Sequence, residues 1–271
     1  MKPFPPGAKA SSRRGSGLFL LAAALGLTAG AIAFAPARAL ALLVREVSND
    51  QVRLLNARGT VWQGRAEWVL TGGAGSRSSA ALPQGMGWQL APAWAGGPAL
   101  KLKLSAPCCA PQGMDLLLAW RAGSARLELG RQQSLWPASW LAGLGAPWNT
   151  IRPGGILLVN WDRLQIGGGR IQGNIGAEWQ YASSALTPVS PMGHYRLQTN
   201  GVWPGTQLDL LTISGPLELK GSGTIAAGGR LRFTGRAQAM AGTDPGVKAQ
   251  LTGLISLLGR RDGEGALLNF G

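Results

Sequence analysis

The sequence has few of the side chains from which metal centres and enzyme active sites are built. Among its 271 residues there is one histidine, His194, and there are two cysteines, Cys108 and Cys109. A structural zinc site takes four Cys or His ligands, so these three residues cannot complete one. The sequence contains no G-x-S-x-G, P-loop, G-x-G-x-x-G or H-E-x-x-H motif. We therefore expect no catalytic residue, no metal ligand and no cofactor, and we interpret His194 as a solvated loop residue.

Cys108 and Cys109 are adjacent, and a bond between chain neighbours distorts the peptide that joins them. The sequence leaves three states open for this pair. The two residues can form a strained vicinal disulfide that acts as a redox switch. They can also remain two small, partly buried thiols, or bond to another chain.

Charge is absent from a long segment near the amino terminus. No charged residue occurs from 15 to 37, and the stretch 17–35 is almost entirely apolar. A membrane-spanning helix needs about 20 such residues, and only basic residues precede this one, which favours a cytoplasmic amino terminus. We predict a cytoplasmic tail over 1–16, a single transmembrane anchor in a bacterial inner membrane over 17–37, and a periplasmic domain over 38–271. The alternative is a cleaved signal peptide, for which Ala37-Arg38-Ala39 offers a small-x-small site.

Acidic residues are scarce, since 26 Lys and Arg stand against 12 Asp and Glu and the formal net charge is +14. Such an excess is typical of chains that bind nucleic acid, an anionic membrane surface or an acidic partner. Here the basic residues are spread along the chain, and an exported domain does not meet nucleic acid. We therefore expect no nucleic-acid partner.

Long helices are disfavoured by composition, because the chain holds 42 Gly and 17 Pro. Many short segments alternate between apolar and polar residues, which is typical of antiparallel strands with one wet face. The clearest predicted strands are 100–104, 115–121, 126–129, 170–181, 195–200, 217–225 and 230–237. Two short helices are predicted over 137–144 and from the N-cap Asp244 to Leu258. We predict a mainly β fold: one N-terminal transmembrane helix, then a Gly-rich antiparallel sheet domain, curved and partly open, with two short helices.

Four parts of the sequence resemble the pattern of one protein family. They are 54–64 (LLNARGTVWQG), 140–150 (WLAGLGAPWNT) with 153–155, 229–236 (GRLRFTGR) and 257–263 (LLGRRDG). Together they resemble the type II secretion system protein N family. The resemblance implies a non-enzymatic inner-membrane component of the secretion apparatus, an accessory scaffold or interaction subunit in export of folded proteins from the periplasm. It implies partners among the other inner-membrane and periplasmic components of that machinery.

Six positions in these segments form a structural signature: Gly59, Trp62, Gly64, Trp148, Gly154 and Gly155. Glycine permits turns and close backbone contacts that a side chain would block, and the two tryptophans are suited to locking the adjacent corners. The 11 tryptophans of the chain are either core residues with a bonded indole N–H or a platform for lipid or glycan. We favour the core. The platform supports an alternative function, a periplasmic lipid- or glycan-binding or transfer module.

The predicted strand near residue 230 carries three arginines on its polar face: Arg230, Arg232 and Arg236. Charge of one sign protects an open sheet edge from pairing with other strands, so one interpretation is a solvated edge strand. The other is a basic strip, with about 7 Å between alternate residues, that binds an acidic partner or anionic lipid headgroups. These arginines are the candidate partner-binding residues.

Overall fold

The structure is a computed structural model that describes residues 13–121, 123–227 and 230–271. These residues form nineteen strands, four α-helices and one 3₁₀-helix. The helices are α1 (Arg13–Ala33), α2 (Ala37–Val47), the 3₁₀-helix (Ala138–Leu144), α3 (Trp148–Ile151) and α4 (Pro245–Leu258). The predicted mainly β fold is confirmed.

The strands are short and follow one another closely along the chain. The first ten are β1 (Val52–Gly59), β2 (Gln63–Thr71), β3 (Ser79–Ala81), β4 (Met86–Trp94), β5 (Pro98–Ala106), β6 (Ala110–Arg121), β7 (Ser124–Leu129), β8 (Gln132–Pro137), β9 (Gly154–Trp161) and β10 (Leu164–Gly167). The others are β11 (Arg170–Gln172), β12 (Ile175–Ser183), β13 (Gly193–Asn200), β14 (Val202–Trp203), β15 (Thr206–Ser214), β16 (Leu217–Ile225), β17 (Leu231–Ala239), β18 (Arg260–Asp262) and β19 (Gly265–Phe270).

The strands form two antiparallel sheets. The first sheet has ten strands in the order β1-β2-β4-β5-β6-β7-β10-β11-β14, with β3 also paired to β2. The second has nine, in the order β18-β19-β17-β16-β15-β13-β12-β9-β8. Neither sheet closes on itself, because β1 and β14 end the first and β18 and β8 end the second. The predicted antiparallel, open architecture is confirmed.

One predicted strand is divided between the two sheets. Residues 170–181 alternate as a single strand, yet β11 ends at Gln172 in the first sheet and β12 begins at Ile175 in the second. Gly173 lies between them with φ of +120°. The apolar alternation continues through this turn, so a pattern of period two does not reveal the break. The prediction of one strand is therefore wrong.

The carboxyl-terminal helix α4 is confirmed with its predicted cap. Asp244 accepts hydrogen bonds from the backbone N–H of Gly246 at 2.8 Å and of Val247 at 3.3 Å. The helix buries Leu251, Leu254 and Ile255 against the second sheet. This arrangement follows from its sequence, since one apolar stripe at helical spacing must be covered.

The other predicted helix of the domain differs from the prediction. Residues Ala138–Leu144 form a 3₁₀-helix, the tighter form that proteins use in short pieces. A four-residue helix, α3, follows it after Pro147. The prediction of two helices in the domain missed α3, whose single turn is too short to show a periodic pattern.

The amino-terminal apolar segment forms a helix that stops before residue 37. Helix α1 ends at Ala33, and Pro36 stands between it and α2. Among the residues that the structure describes, no helix is long and apolar enough to cross a membrane. The predicted span over 17–37 is therefore not supported. Most of the predicted tail over 1–16 lies outside the described residues.

Helix α2 packs one face on the first sheet. Ala37, Leu40 and Val44 join Leu54 and Trp88 in a buried cluster. The opposite face of α2 leaves other apolar side chains exposed: Leu42, Leu43 and Val47. The first sheet is thus joined to the amino-terminal helices at its β1 edge.

Candidate functional site

Two of the three candidate arginines lie on one face of β17. Arg232 and Arg236 are exposed, while Phe233 and Ala237 are buried on the opposite face. Arg230 is exposed but precedes the strand. The two strand arginines are four residues apart, about 13 Å. Two of the three positions of the predicted strip thus lie on β17, and Arg230 lies one residue before it.

Strand β17 is an interior strand of the second sheet. It pairs with β16 on one side and with β19 on the other, so the interpretation as an edge strand is wrong. The reason is that the chain returns after α4 to add β19, which no local pattern near residue 230 reveals. Arg236 Nη1 also lies 2.9 Å from Asp262 Oδ2, and its Nε donates to Gln238 Oε1 at 2.9 Å. The face around Arg236 therefore carries both signs of charge.

The first part of the structural signature forms the tip of the β1–β2 hairpin. Gly59 has φ of +96°, and a Cβ there would meet the carbonyl oxygen of Gln63. A Cβ on Gly64 would meet the Trp88 ring at 2.5 Å. The tight turn at Gly59 and the Trp88 ring beside Gly64 leave no room for a side chain at either position.

Trp62 joins this hairpin tip to α1. Its indole Nε1 donates to the Ile32 carbonyl at 2.8 Å, and the N–H of Val61 donates to the Ala35 carbonyl at 2.8 Å. Pro36 and Thr60 form an isolated β-bridge at the same place. The last carbonyls of a helix have no partner within it. The hairpin supplies partners there and holds the first sheet against the end of the apolar helix.

The second part of the signature lies where β9 begins. Gly155 has φ of +96°, and a Cβ there would meet the backbone carbonyl of Gln180 on β12. Trp179 Nε1 donates to the Gly154 carbonyl at 2.8 Å. Trp148 is the first residue of α3. The two glycines thus allow β9 to approach β12 closely at an irregularity in the pairing of the two strands.

His194 has a partner that sequence reasoning missed. Its Nε2 lies 3.3 Å from Glu178 Oε2, and Arg196 Nη2 lies 2.8 Å from Glu178 Oε1. Burial raises the pKa of Glu178, but hydrogen bonds from Arg196, Gln180 and His194 outweigh it and leave that pKa below its usual value. The interpretation of His194 as a solvated loop residue is wrong, because it lies in β13 and its side chain is only 29 % exposed. The contact arises because β12 pairs with β13, which places Glu178 opposite Arg196. The sequence alone does not show which strands pair.

The chemical use of this cluster depends on what else touches the imidazole. Ser214 stands opposite His194 in the register of β13 and β15. Among the described residues, however, the only side-chain hydrogen bond of His194 is the one to Glu178. The contacts of the described residues there are an Arg196–Glu178 ion pair with His194 beside it on a sheet face.

Cys108 and Cys109 form a vicinal disulfide, one of the three states that the sequence left open. Cys109 is buried, and its N–H donates to the Ala106 carbonyl at 3.0 Å. Its carbonyl accepts the N–H of Leu135, on β8, at 2.8 Å. The disulfide turn therefore joins the β5–β6 connection of the first sheet to an edge strand of the second.

Most of the indoles whose contacts the structure describes serve the core. Trp88, Trp161 and Trp179 donate to backbone carbonyls, and Trp136 stacks on Trp140 with ring centroids 5.3 Å apart. This confirms the core interpretation for Trp88, Trp161 and Trp179, whereas the buried Trp140 Nε1 has no hydrogen-bond partner among the described residues. Trp94, with 78 % of its surface exposed at the end of β4, and Trp120, with 39 %, are exposed.

A broad polar cleft of about 820 Å³ lies where the two sheets meet. Its walls carry amide and carboxylate side chains: Gln112, Asp115, Gln132, Asn160, Gln198 and Asn200. Gln132 Nε2, from the second sheet, donates to the Gly113 carbonyl of the first. This hydrogen bond joins the two sheets at the cleft.

The comparison with protein families gives one match. The family model for type II secretion system (T2SS), protein N, matches residues 50–268, which include both sheets and α4. The chain belongs to the type II secretion system protein N family. No curated protein and no solved structure matches the chain.

The resemblance carried by the segments 54–64, 140–150, 229–236 and 257–263 is thereby confirmed. Membership in the protein N family implies a role in type II secretion. It also implies association with other components of that system and a location in the cell envelope. The particular partner residues are not identified by the match.

Proposed function

We propose that this protein N family member is a non-enzymatic accessory scaffold of the type II secretion apparatus, attached to the inner membrane with its sheets on the periplasmic side. The observation that carries the proposal is the family match over both sheets. Folded proteins leave the periplasm through that apparatus, so a subunit that serves it by binding needs surfaces and not a reaction site.

A scaffold role is supported by the chemistry of the polar groups. The only imidazole is engaged with Glu178, and the broad cleft between the sheets is lined mainly by polar side chains, most of them amides. A nucleophile within hydrogen-bond reach of a base is the feature that an acyl- or phosphoryl-transfer site requires. None is present among the described residues near His194.

Attachment to the membrane is supported by helix α1. Its apolar side chains are strongly exposed, with Phe19 at 80 % and Leu27 at 75 %. Apolar surface of this extent is normally covered by lipid or by another protein. The hydrogen bonds of Trp62 and Val61 to the end of α1 would then hold the first sheet close to the membrane.

The scaffold proposal is tested by photocrosslinking in cells. A benzophenone side chain is placed at Leu135, Ile156 or Ile213, which are exposed apolar positions on the second sheet, and at Ser124 as an exposed control. We expect the apolar positions to trap inner-membrane secretion components and deletion of the gene to reduce secretion. Recovery of the protein alone, together with normal secretion after deletion, would contradict the proposal.

A second candidate, a lipid-binding module, is favoured by one specific observation. A row of half-buried or exposed apolar residues, here called the apolar strip, crosses the first sheet from β4 to β11: Leu90, Leu100, Leu102, Leu118, Leu127, Ile166 and Ile171. The described helices make their main sheet contacts elsewhere, α2 with β1 and β2 and α4 with β17, β18 and β19. Lipid that co-purifies with the protein and depends on this strip would favour the second function.

A further inference from the structure

Two arginines face each other near the tip of the β1–β2 hairpin. Arg58 on β1 is paired directly with Arg65 on β2, and both are exposed. Like charges directly opposite on neighbouring strands destabilise a sheet. None of the ion pairs among the described residues involves either arginine. The fold therefore places two positive charges on neighbouring strands that no ion pair of the described residues neutralises.

The two arginines border a cleft of about 480 Å³. The next positions across the sheet are Gly87 and Ser105, whose small side chains leave this space open. Glu67 also borders the cleft, but its Oε1 accepts a hydrogen bond from Asn56 Nδ2 at 3.0 Å. The cleft thus presents two guanidinium groups beside the small residues Gly87 and Ser105, with the Glu67 carboxylate held by Asn56. Guanidinium groups bind phosphate oxygens well because their N–H donors match the phosphate geometry.

The cleft lies close to the carboxyl-terminal end of α1. Arg58 precedes Thr60 by two residues, about 7 Å along a strand, and Thr60 forms a bridge with Pro36 just after α1. The polar headgroup layer of a bilayer is about 5–8 Å deep on each side of the hydrocarbon. If α1 lies in lipid, both arginines are at the depth of the headgroups.

We infer that Arg58 and Arg65 form a binding site for the phosphate of an anionic phospholipid headgroup, which fixes the hairpin against the membrane surface. The inference rests on the proposed membrane attachment. It assigns a reason to the unfavourable Arg58–Arg65 pairing, since a bound phosphate neutralises both charges. It also gives the hydrogen bonds between the hairpin and α1 a second role, because they set the height of the cleft above the lipid.

The test is flotation of the full chain with two kinds of vesicle, phosphatidylcholine alone and phosphatidylcholine mixed with phosphatidylglycerol. We expect the wild type to bind both and to bind the anionic vesicles more tightly. The double variant R58Q/R65Q should bind the anionic vesicles about 30-fold more weakly than the wild type does. This corresponds to about 2 kcal/mol, at about 1 kcal/mol for each basic residue near an anionic surface. Its binding to phosphatidylcholine vesicles should not change.

The matched control is R126Q/R170Q. Arg126 and Arg170 are exposed on the same sheet, both opposite Gly167 of β10, and their replacement removes the same charge. This control should keep the gain on anionic vesicles, and R58Q/R65Q should melt at the wild-type temperature or above it, because a repulsion has been removed.

The possible failures are distinguishable. Equal losses in the two double variants would overturn the inference, since net charge alone would then explain binding. Equal binding of the wild type to both vesicles would also overturn it, while leaving membrane attachment intact. Failure of the wild type to bind either vesicle would overturn the proposed attachment and the headgroup site with it. Inorganic phosphate that releases the protein more strongly than chloride at equal ionic strength would support recognition of the phosphate group.

Discussion

Glu178 illustrates how a single carboxylate organises the polar face of the second sheet. It accepts from Arg196 on one oxygen and lies beside His194 on the other. The side chain of Glu178 is only 18 % exposed, so burial alone would favour its neutral form. The basic partners reverse that effect and lower its pKa. The native state consequently depends on this group being ionised.

The first prediction concerns the pH dependence of stability. Because folding lowers the pKa of Glu178, its contribution is present above the unfolded value of about 4.3 and is lost as pH falls through the folded value. Glu178→Gln should therefore lower the free energy of unfolding at neutral pH by about 1 kcal/mol, and the difference from wild type should shrink below about pH 4.

The measurement is a double-mutant cycle with Arg196→Gln, followed by thermal denaturation across the acid range. The coupling between Glu178 and Arg196 should vanish at low pH, where the carboxyl is protonated in both states. A coupling that does not change with pH would argue against an ionised Glu178.

Helix α4 shows what one element contributes to the second sheet. Leu251, Leu254 and Ile255 are almost fully buried, at 0 %, 3 % and 4 % exposure, whereas Leu257 is 70 % exposed. The same residue type thus occurs on both sides of one helix. This makes α4 a direct test of packing against intrinsic helix preference.

The prediction for this element is that Leu254→Ala costs about 2–5 kcal/mol, through lost transfer free energy and the cavity left behind. Leu257→Ala, the matched control, should cost less than about 0.5 kcal/mol because its side chain is exposed. The free energy of unfolding in urea measures both. Equal costs would mean that α4 does not cover the sheet in solution.

At the scale of the whole molecule, the apolar strip of the open first sheet joins the buried cluster under α2 at Leu102, while the main sheet contacts of the described helices lie elsewhere. If lipid covers the strip, Leu118→Glu should reduce the lipid that co-purifies with the full chain several-fold. A charge there would face the acyl chains. Leu117→Glu is the matched control, since the neighbouring residue points to the opposite face and is also half-buried.

Lipid quantified by mass spectrometry after extraction, with the melting temperature as the check on folding, gives the readout. The same lipid content in both variants would rule out the strip as a lipid site and would leave the scaffold function as the better proposal.

The sequence by itself determined the features that depend on neighbouring residues. Alternation of apolar and polar residues predicted most strands, and the Asp244-Pro245 cap with the apolar stripe predicted α4. The four segments that resemble the protein N pattern indicated the family. These signals act over a few residues, because strand pleat and helical turn have short periods. They need no knowledge of what the element packs against.

Only the tertiary structure decided which strands are neighbours. The addition of β19 beside β17 made the Arg232–Arg236 strand an interior one, and the turn at Gly173 moved β12 into a different sheet from β11. The pairing of β12 with β13 brought Glu178 to His194, 16 residues further along the chain. Such contacts depend on which distant segments pair, and a period-two pattern is the same for every possible partner.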